Sequence, residues 1–142
     1  MRVKIFRKDD SVALPQYHTP GSVAFDLAAS ENMVIPPREI RLIPTGLVIC
    51  TPEHHMFLVA ARSSTPMKKG LMLGNGIGIV DQDYCGPDDE IKIQVYNFTD
   101  APVEVKKGDR LAQGLFLHLE RVDWEEVQQL SPKSRGGFGS TG

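Results

Sequence analysis

An all-β fold, a sandwich or jelly roll with at most one short helix, is what three features of this chain predict. Short runs of alternating apolar and polar residues recur every ten residues or so, and prolines and glycines punctuate them. No helix-rich stretch is long enough for a β–α alternation. The 142 residues, 41% hydrophobic and 24% charged, fit one globular domain and exclude disordered and fibrous classes. A net charge of −2 leaves no electrostatic footprint for wrapping nucleic acid, so any bound anion must be held by a local cluster of donors. No apolar run approaches membrane-spanning length. Cys50 and Cys85, without a CxxC pair or a signal peptide, fit a reducing cytosol. The expectation is a soluble cytoplasmic protein, with one β domain over residues 1–130 and a flexible tail over 131–142.

The elements follow in order. Arg2 to Phe6 alternates and predicts a first strand, and residues 8–21 are polar and turn-rich. Val23 to Ala29 is an apolar run holding one carboxylate, Asp26, which needs a charged or hydrogen-bonding partner there. Satisfying backbone donors at a strand end is the structural alternative to a functional role. Residues 33–61 predict three strands, MVIP, IRLIPTGLVIC and MFLVAA, with His54 and His55 as loop residues that cannot easily share a metal. Arg62, Ser63 and Ser64 then place a guanidinium and hydroxyls at a strand-to-turn junction suited to phosphate oxygens, although Ser-Thr-Pro is also an everyday helix start.

The centre of the chain is residues 74–98, GNGIGIVDQDYCGPDDEIKIQVYNF. Its glycines predict an open hairpin meeting a ligand, followed by Asp81, Asp83 and Tyr84 and then a period-2 strand through Ile91, Ile93 and Val95. Asp and Gly are also ordinary turn residues. Asn97-Phe98-Thr99 matches a glycosylation sequon, read here as chance. Residues 101–119 predict a second hairpin about Lys107-Gly108-Asp109, with Leu111, Leu115, Leu117 and Leu119 on one face and a bulge at Gly114. Residues 121–130 fit either a helical face of Trp124, Val127 and Leu130 or a short docked strand. The last twelve residues hold four glycines and three serines, yet also Phe138, able to stack on a base, and Arg135, able to hold phosphate.

In this order the pieces resemble the homotrimeric dUTP diphosphatases. Five stretches carry the likeness: AFDLAAS (24–30), ARSSTPMKKG (61–70), GNGIGIVDQDYCG (74–86), GDRLAQGLF (108–116) and RGGFGSTG (135–142). The resemblance implies a jelly-roll subunit of distorted-barrel form, a trimer with active sites at subunit junctions, and Mg2+. It also implies hydrolysis of dUTP to dUMP and pyrophosphate, which keeps uracil out of DNA and supplies dUMP for dTMP synthesis. By position, Asp81 is the base for the attacking water, and Tyr84 packs on the deoxyribose. Asn75 and the backbone around Gly78 read the uracil edge. Arg62, Ser63, Ser64 and Gln113 hold phosphate oxygens, and Asp26 supports the metal through water. Arg135, Phe138, Gly139, Ser140 and Thr141 close over the nucleotide.

Departures from the family pattern lie in residues 85–90, which lengthen the loop after Tyr84, and in the fifth stretch, shorter by two residues after Arg135. Ala24 and Phe25 also replace the usual small Gly and its neighbour. Two rival readings remain open on the sequence: a deoxycytidine triphosphate deaminase of related fold, and a catalytically silent binding or regulatory protein.

Overall fold

The computed structural model describes residues 1–131 together with Lys133, Ser134, Gly136, Gly137 and Gly139. Among them the chain forms eleven strands and one helix, in the order β1 (Ile5–Arg7), β2 (Phe25–Ala28), β3 (Met33–Ile35), β4 (Ile40–Pro44), β5 (Leu47–Ile49), β6 (His55–Ala61), α1 (Thr65–Lys69), β7 (Leu71–Leu73), β8 (Gly78–Val80), β9 (Lys92–Asn97), β10 (Val103–Val105) and β11 (Arg110–His118). The all-β jelly-roll expectation holds. A four-stranded sheet runs β2-β11-β6-β8 and a three-stranded sheet β4-β9-β7, with β1-β5 and β10-β3 as two-stranded pairs. Every pairing is antiparallel. Phe25 and Leu27 of β2, Phe57 and Val59 of β6, Leu71 and Leu73 of β7, and Ile93 and Val95 of β9 belong to one core. Each such side chain stabilises by about 1.5–3 kcal/mol on full burial.

The alternation of β9 was legible in advance, but the pairings were not. The predicted first strand starts later, at Ile5, and the long run 40–50 divides into β4 and β5 at Thr45-Gly46, where Gly46 takes φ +70. His55 opens β6 rather than lying in a loop. Neither predicted hairpin forms: β7 pairs with β9 and β8 with β6, so residues 74–77 carry the chain from one sheet to the other. Likewise β10 pairs with β3, while β11 pairs with β2 and β6. A strand finds the partner that completes the shared core, not its neighbour in sequence.

The irregularity in β11 lies between Arg110 and Ala112, not at Gly114. It turns both Leu111 and Ala112 inward, so Leu111 does not share a face with Leu117, which is exposed. Gly114 stays in register because its backbone passes directly over aromatic rings. A Cβ there would lie 2.5 Å from Phe57 Cε2 and 2.8 Å from Phe25 Cε2. Residues 121–130 form neither the helix nor the docked strand, and Trp124 is 93% exposed. Asn97 is fully buried and its amide nitrogen donates to the carbonyls of Ile35 and Ala101 at 3.0 and 2.8 Å. The same amide oxygen accepts from the N–H and hydroxyl of Thr99. No helix among the described residues is long and apolar enough to cross a membrane.

Candidate active site

The first group of predicted residues is built on the outer face of the four-stranded sheet. Asp26 of β2 stands opposite Gln113 of β11, which stands opposite Ala60 of β6. Their neighbours Phe25, Gly114 and Val59 point into the core, so alternation turns Asp26 and Gln113 outward. Arg62, one residue past the end of β6, donates from Nε to Asp26 Oδ1 at 2.8 Å. Arg110 donates to the other oxygen, Oδ2, at 3.0 Å. His18 Nε2 lies 3.1 Å from Oδ2 and 3.0 Å from Arg110. A largely buried carboxylate is thus outnumbered by two guanidinium groups, which leaves surplus positive charge for an anion. The Gln113 amide donates to the Ala61 carbonyl at 3.1 Å, which fixes its side chain along this face.

Ser63 and Ser64 lead from Arg62 into α1. Ser64 occupies the N-cap position without a side-chain capping bond, so its hydroxyl is not committed to the helix. The short helix is tied to β11 and the turn before it: Thr65 donates to the Leu111 carbonyl at 2.7 Å, and Lys69 pairs with Asp109 at 2.6 Å. Burial alone raises the Asp109 carboxyl, but hydrogen bonds from Lys69 and the Lys106 N–H, with the charges of both lysines, hold it below the usual carboxylate range.

The second group lies on β8 and the strandless stretches either side of it, around a separate cavity of about 420 Å³ that Asn75, Gly78, Asp81 and Tyr84 help to line. Gly78 stands opposite Val59, an inward residue that also lines the cavity. Asp81 leaves β8 at once into a segment outside any strand, and among the described residues it has no ion-pair partner. Tyr84 is partly exposed, its ring held by a 3.2 Å hydrogen bond from its hydroxyl to the Glu90 carbonyl. Glu90 is itself buried and accepts the Gly46 N–H at 2.6 Å, anchoring the end of the segment to the core.

The candidate residues of one chain therefore fall into two separate groups. Asp26, Arg62 and Gln113 come together on one face of the sheet, and Asn75, Gly78, Asp81 and Tyr84 gather on the other side of β6. Gly139 is described as part of a turn, without a contact to either group, and Arg135, Phe138, Ser140 and Thr141 lie outside the described residues.

A family model for dUTPase matches residues 10–142, nearly the whole chain. The chain belongs to the dUTPase family. A deoxyuridine 5'-triphosphate nucleotidohydrolase of Lactococcus lactis is 40% identical over 138 residues, covering 95% of this chain and 91% of that protein. Among solved structures, a dUTPase from Streptococcus mutans superposes with a TM-score of 0.78 at 31% identity, over 86% of this chain and 98% of the other. A mutant dUTPase from phage phi11 of S. aureus, described with a structural Mg(II) ion, shares the fold with a TM-score of 0.81 at 19% identity, over 91% and 98%.

Against the dUTPase motifs, two polar neighbours of Asp26 were not singled out from the sequence. Arg110 stood inside the fourth motif, where a cation three residues before Gln113 was a usable signal. His18 carried none, because it reaches Arg110 from 92 positions away in a turn-rich segment. Cys50 and Cys85, expected only to fit a reducing cytosol, are paired as a disulfide.

Proposed function

We propose that this chain hydrolyses dUTP to dUMP and pyrophosphate, with Asp81 orienting and deprotonating the water that attacks the α-phosphorus. The observation that carries this reading is the division of labour between the two partial sites. One is an arginine-rich, phosphate-compatible face, and the other is a cavity whose rim combines a carboxylate with no ion-pair partner among the described residues, a phenol and a glycine-lined edge. Phosphoryl chemistry asks the protein mainly for positioning and charge neutralisation, which is what such a division supplies. Asn75 and the backbone around Gly78 pair with the uracil edge, where a wrong base leaves buried groups unpaired. Tyr84 packs on the deoxyribose and excludes a 2′-hydroxyl. Arg62, Ser63, Ser64 and Gln113 hold phosphate oxygens.

The donor set also bears on Mg2+. Among the described residues no cluster of three or more His, Cys, Asp or Glu side chains could cage an ion. Mg2+ prefers phosphate oxygens and its own waters to an all-protein cage, so a single carboxylate acting through water, Asp26, fits it. Bound with the substrate, the ion supplies charge neutralisation along the triphosphate.

The partial sites lie on opposite sides of β6, which supports a complete site formed between copies of the chain. An outward row of Met72, Tyr96 and Ile40 crosses β7, β9 and β4 in register, with Met72 and Ile40 about half exposed. Such a row is suited to burial against another copy. We read the assembly as a homotrimer with sites at its junctions, cytoplasmic and without nucleic-acid or membrane partners. Residues 131–142 are read as a tail that closes over the nucleotide through Arg135, Phe138, Gly139, Ser140 and Thr141.

Pyrophosphate release with Mg2+, offering dUTP, UTP, dTTP and dCTP separately, tests the reading. Release from dUTP alone is expected. No release from dUTP, with ammonia formed from dCTP, would overturn it in favour of a deaminase.

A further inference from the structure

Cys50 and Cys85 are 35 residues apart in sequence, yet their Cα atoms are 5.0 Å apart and their sulfurs are bonded. That separation lies within the span a bridge requires. Cys50 directly follows β5, whose three residues are all buried, and its N–H donates to the Lys4 carbonyl at 3.0 Å. It belongs to the fixed body of the domain. Cys85 directly follows Tyr84 and lies four residues beyond Asp81, in the stretch between β8 and β9 that has no strand.

The hydrogen bonds of that stretch are largely its own. The Cys85 N–H donates to the Asp83 carbonyl, the Gly86 N–H to the Asp89 carboxylate, and the Asp89 N–H to the Gly86 carbonyl. These bonds fix the shape of the loop without fixing its place. Among the described residues, the side-chain ties from 82–89 to the rest of the chain are the Gln82 amide on the His55 carbonyl at 3.0 Å, the Tyr84 hydroxyl on the Glu90 carbonyl at 3.2 Å and the sulfur bridge, the one covalent tie of the three. Both cysteines are half-buried, within reach of a small thiol or disulfide.

We propose that Cys50 and Cys85 form a reversible dithiol–disulfide site that fastens the segment bearing Asp81 and Tyr84 to the end of β5 when oxidised and releases it when reduced. The chemistry is thiol–disulfide exchange with a low-molecular-weight disulfide. One cysteine thiolate attacks the small disulfide and expels one small thiolate, forming a mixed disulfide. The second cysteine thiolate then attacks the protein sulfur and expels the other. The two cysteines lose two protons and two electrons, and the small disulfide becomes two thiols. A small dithiol reverses the sequence. In a reducing compartment the pair stands open and closes under oxidative challenge, the usual behaviour of cytosolic redox pairs.

Its consequence for turnover rests on the roles assigned above to Asp81 and Tyr84, so the test includes readouts that do not need them. Full-length protein is equilibrated in oxidised glutathione or in dithiothreitol, then examined by thiol titration, by hydrogen–deuterium exchange and by dUTP and UTP hydrolysis. We expect two titratable thiols in the reduced protein and none in the oxidised. Peptides covering 82–89 should exchange at least roughly tenfold faster once the tether opens. The kcat/KM for dUTP should fall and its margin over UTP narrow, and Cys85→Ser should hold the reduced values in both buffers. Two thiols persisting in oxidised glutathione, or equal exchange in the two states, would overturn the proposal. If thiols and exchange respond while neither state hydrolyses dUTP, the redox site stands and the functional reading fails.

Discussion

The two groups of candidate residues are held in different ways. Asp26 and Gln113 project from adjacent strands whose neighbouring residues are locked into the aromatic core, and Arg62 follows the strand beside them. Asp81 and Tyr84 sit in a strandless stretch whose position depends on Gln82, Glu90 and a sulfur bridge. Groups that only bind charge gain from rigid placement, because a prepositioned guanidinium needs no reordering when an anion arrives. In the roles proposed for them, Asp81 and Tyr84 meet the attacking water and the sugar and have to admit substrate before they enclose it. The contrast predicts that damage to the sheet weakens binding, while damage to the loop spares binding and removes turnover.

The largest effect should follow Asp81→Asn. Pyrophosphate release is expected to fall by roughly 10²–10⁴-fold, the range for losing a general base, while dUTP affinity by calorimetry is kept. Unimpaired turnover would take the base away from the loop. Next is Arg62→Leu, which removes a charged hydrogen bond and leaves Asp26 short of one partner. Affinity for dUTP should weaken by about 1.5–3 kcal/mol with a smaller change in kcat; a change confined to kcat would erase the contrast. Gly114→Ala sharpens it from beneath, since the added methyl meets Phe57 and Phe25. Thermal unfolding should register a loss of about 1–3 kcal/mol, with substrate affinity falling as β11 shifts under Gln113.

Smallest is Lys69→Met, at the partly exposed Asp109 pair. The Asp109 carboxyl is held below its unfolded value, so its contribution is present above the unfolded pKa and disappears as pH falls through the lower folded one. Unfolding of the variant should therefore differ from wild type by less than about 1 kcal/mol at neutral pH, with the gap closing toward acid. A gap that widened in acid would contradict the pairing.

Much of this was legible in the sequence, for reasons that differ by scale. Strand β9 announced itself because Ile91, Ile93 and Val95 alternate toward one core. The candidate residues stood out because their chemistry is carried by short contiguous stretches. What could not be read was long-range. The switch of residues 74–77 between sheets depends on which distant edges are free, and Asp26 meets Arg110 across 84 positions. The displaced face of Leu111 comes from one bulge residue, which reverses inward and outward for everything before it. Trp124, Val127 and Leu130 misled because helical spacing alone supplies no surface to dock on.

Buried Asn97 carries a consequence for how the protein can be made. It heads the tripeptide Asn97-Phe98-Thr99, which a secretory pathway reads as an acceptor for sugar. The amide nitrogen that a glycan would take is the one that binds Ile35 and Ala101 inside the fold. A chain routed through the endoplasmic reticulum and modified there would lose both bonds and have to house an oligosaccharide where no space exists. Production without export, or with Thr99→Ala to silence the acceptor at the expense of its bonds to Asn97, avoids a misfolded glycoform.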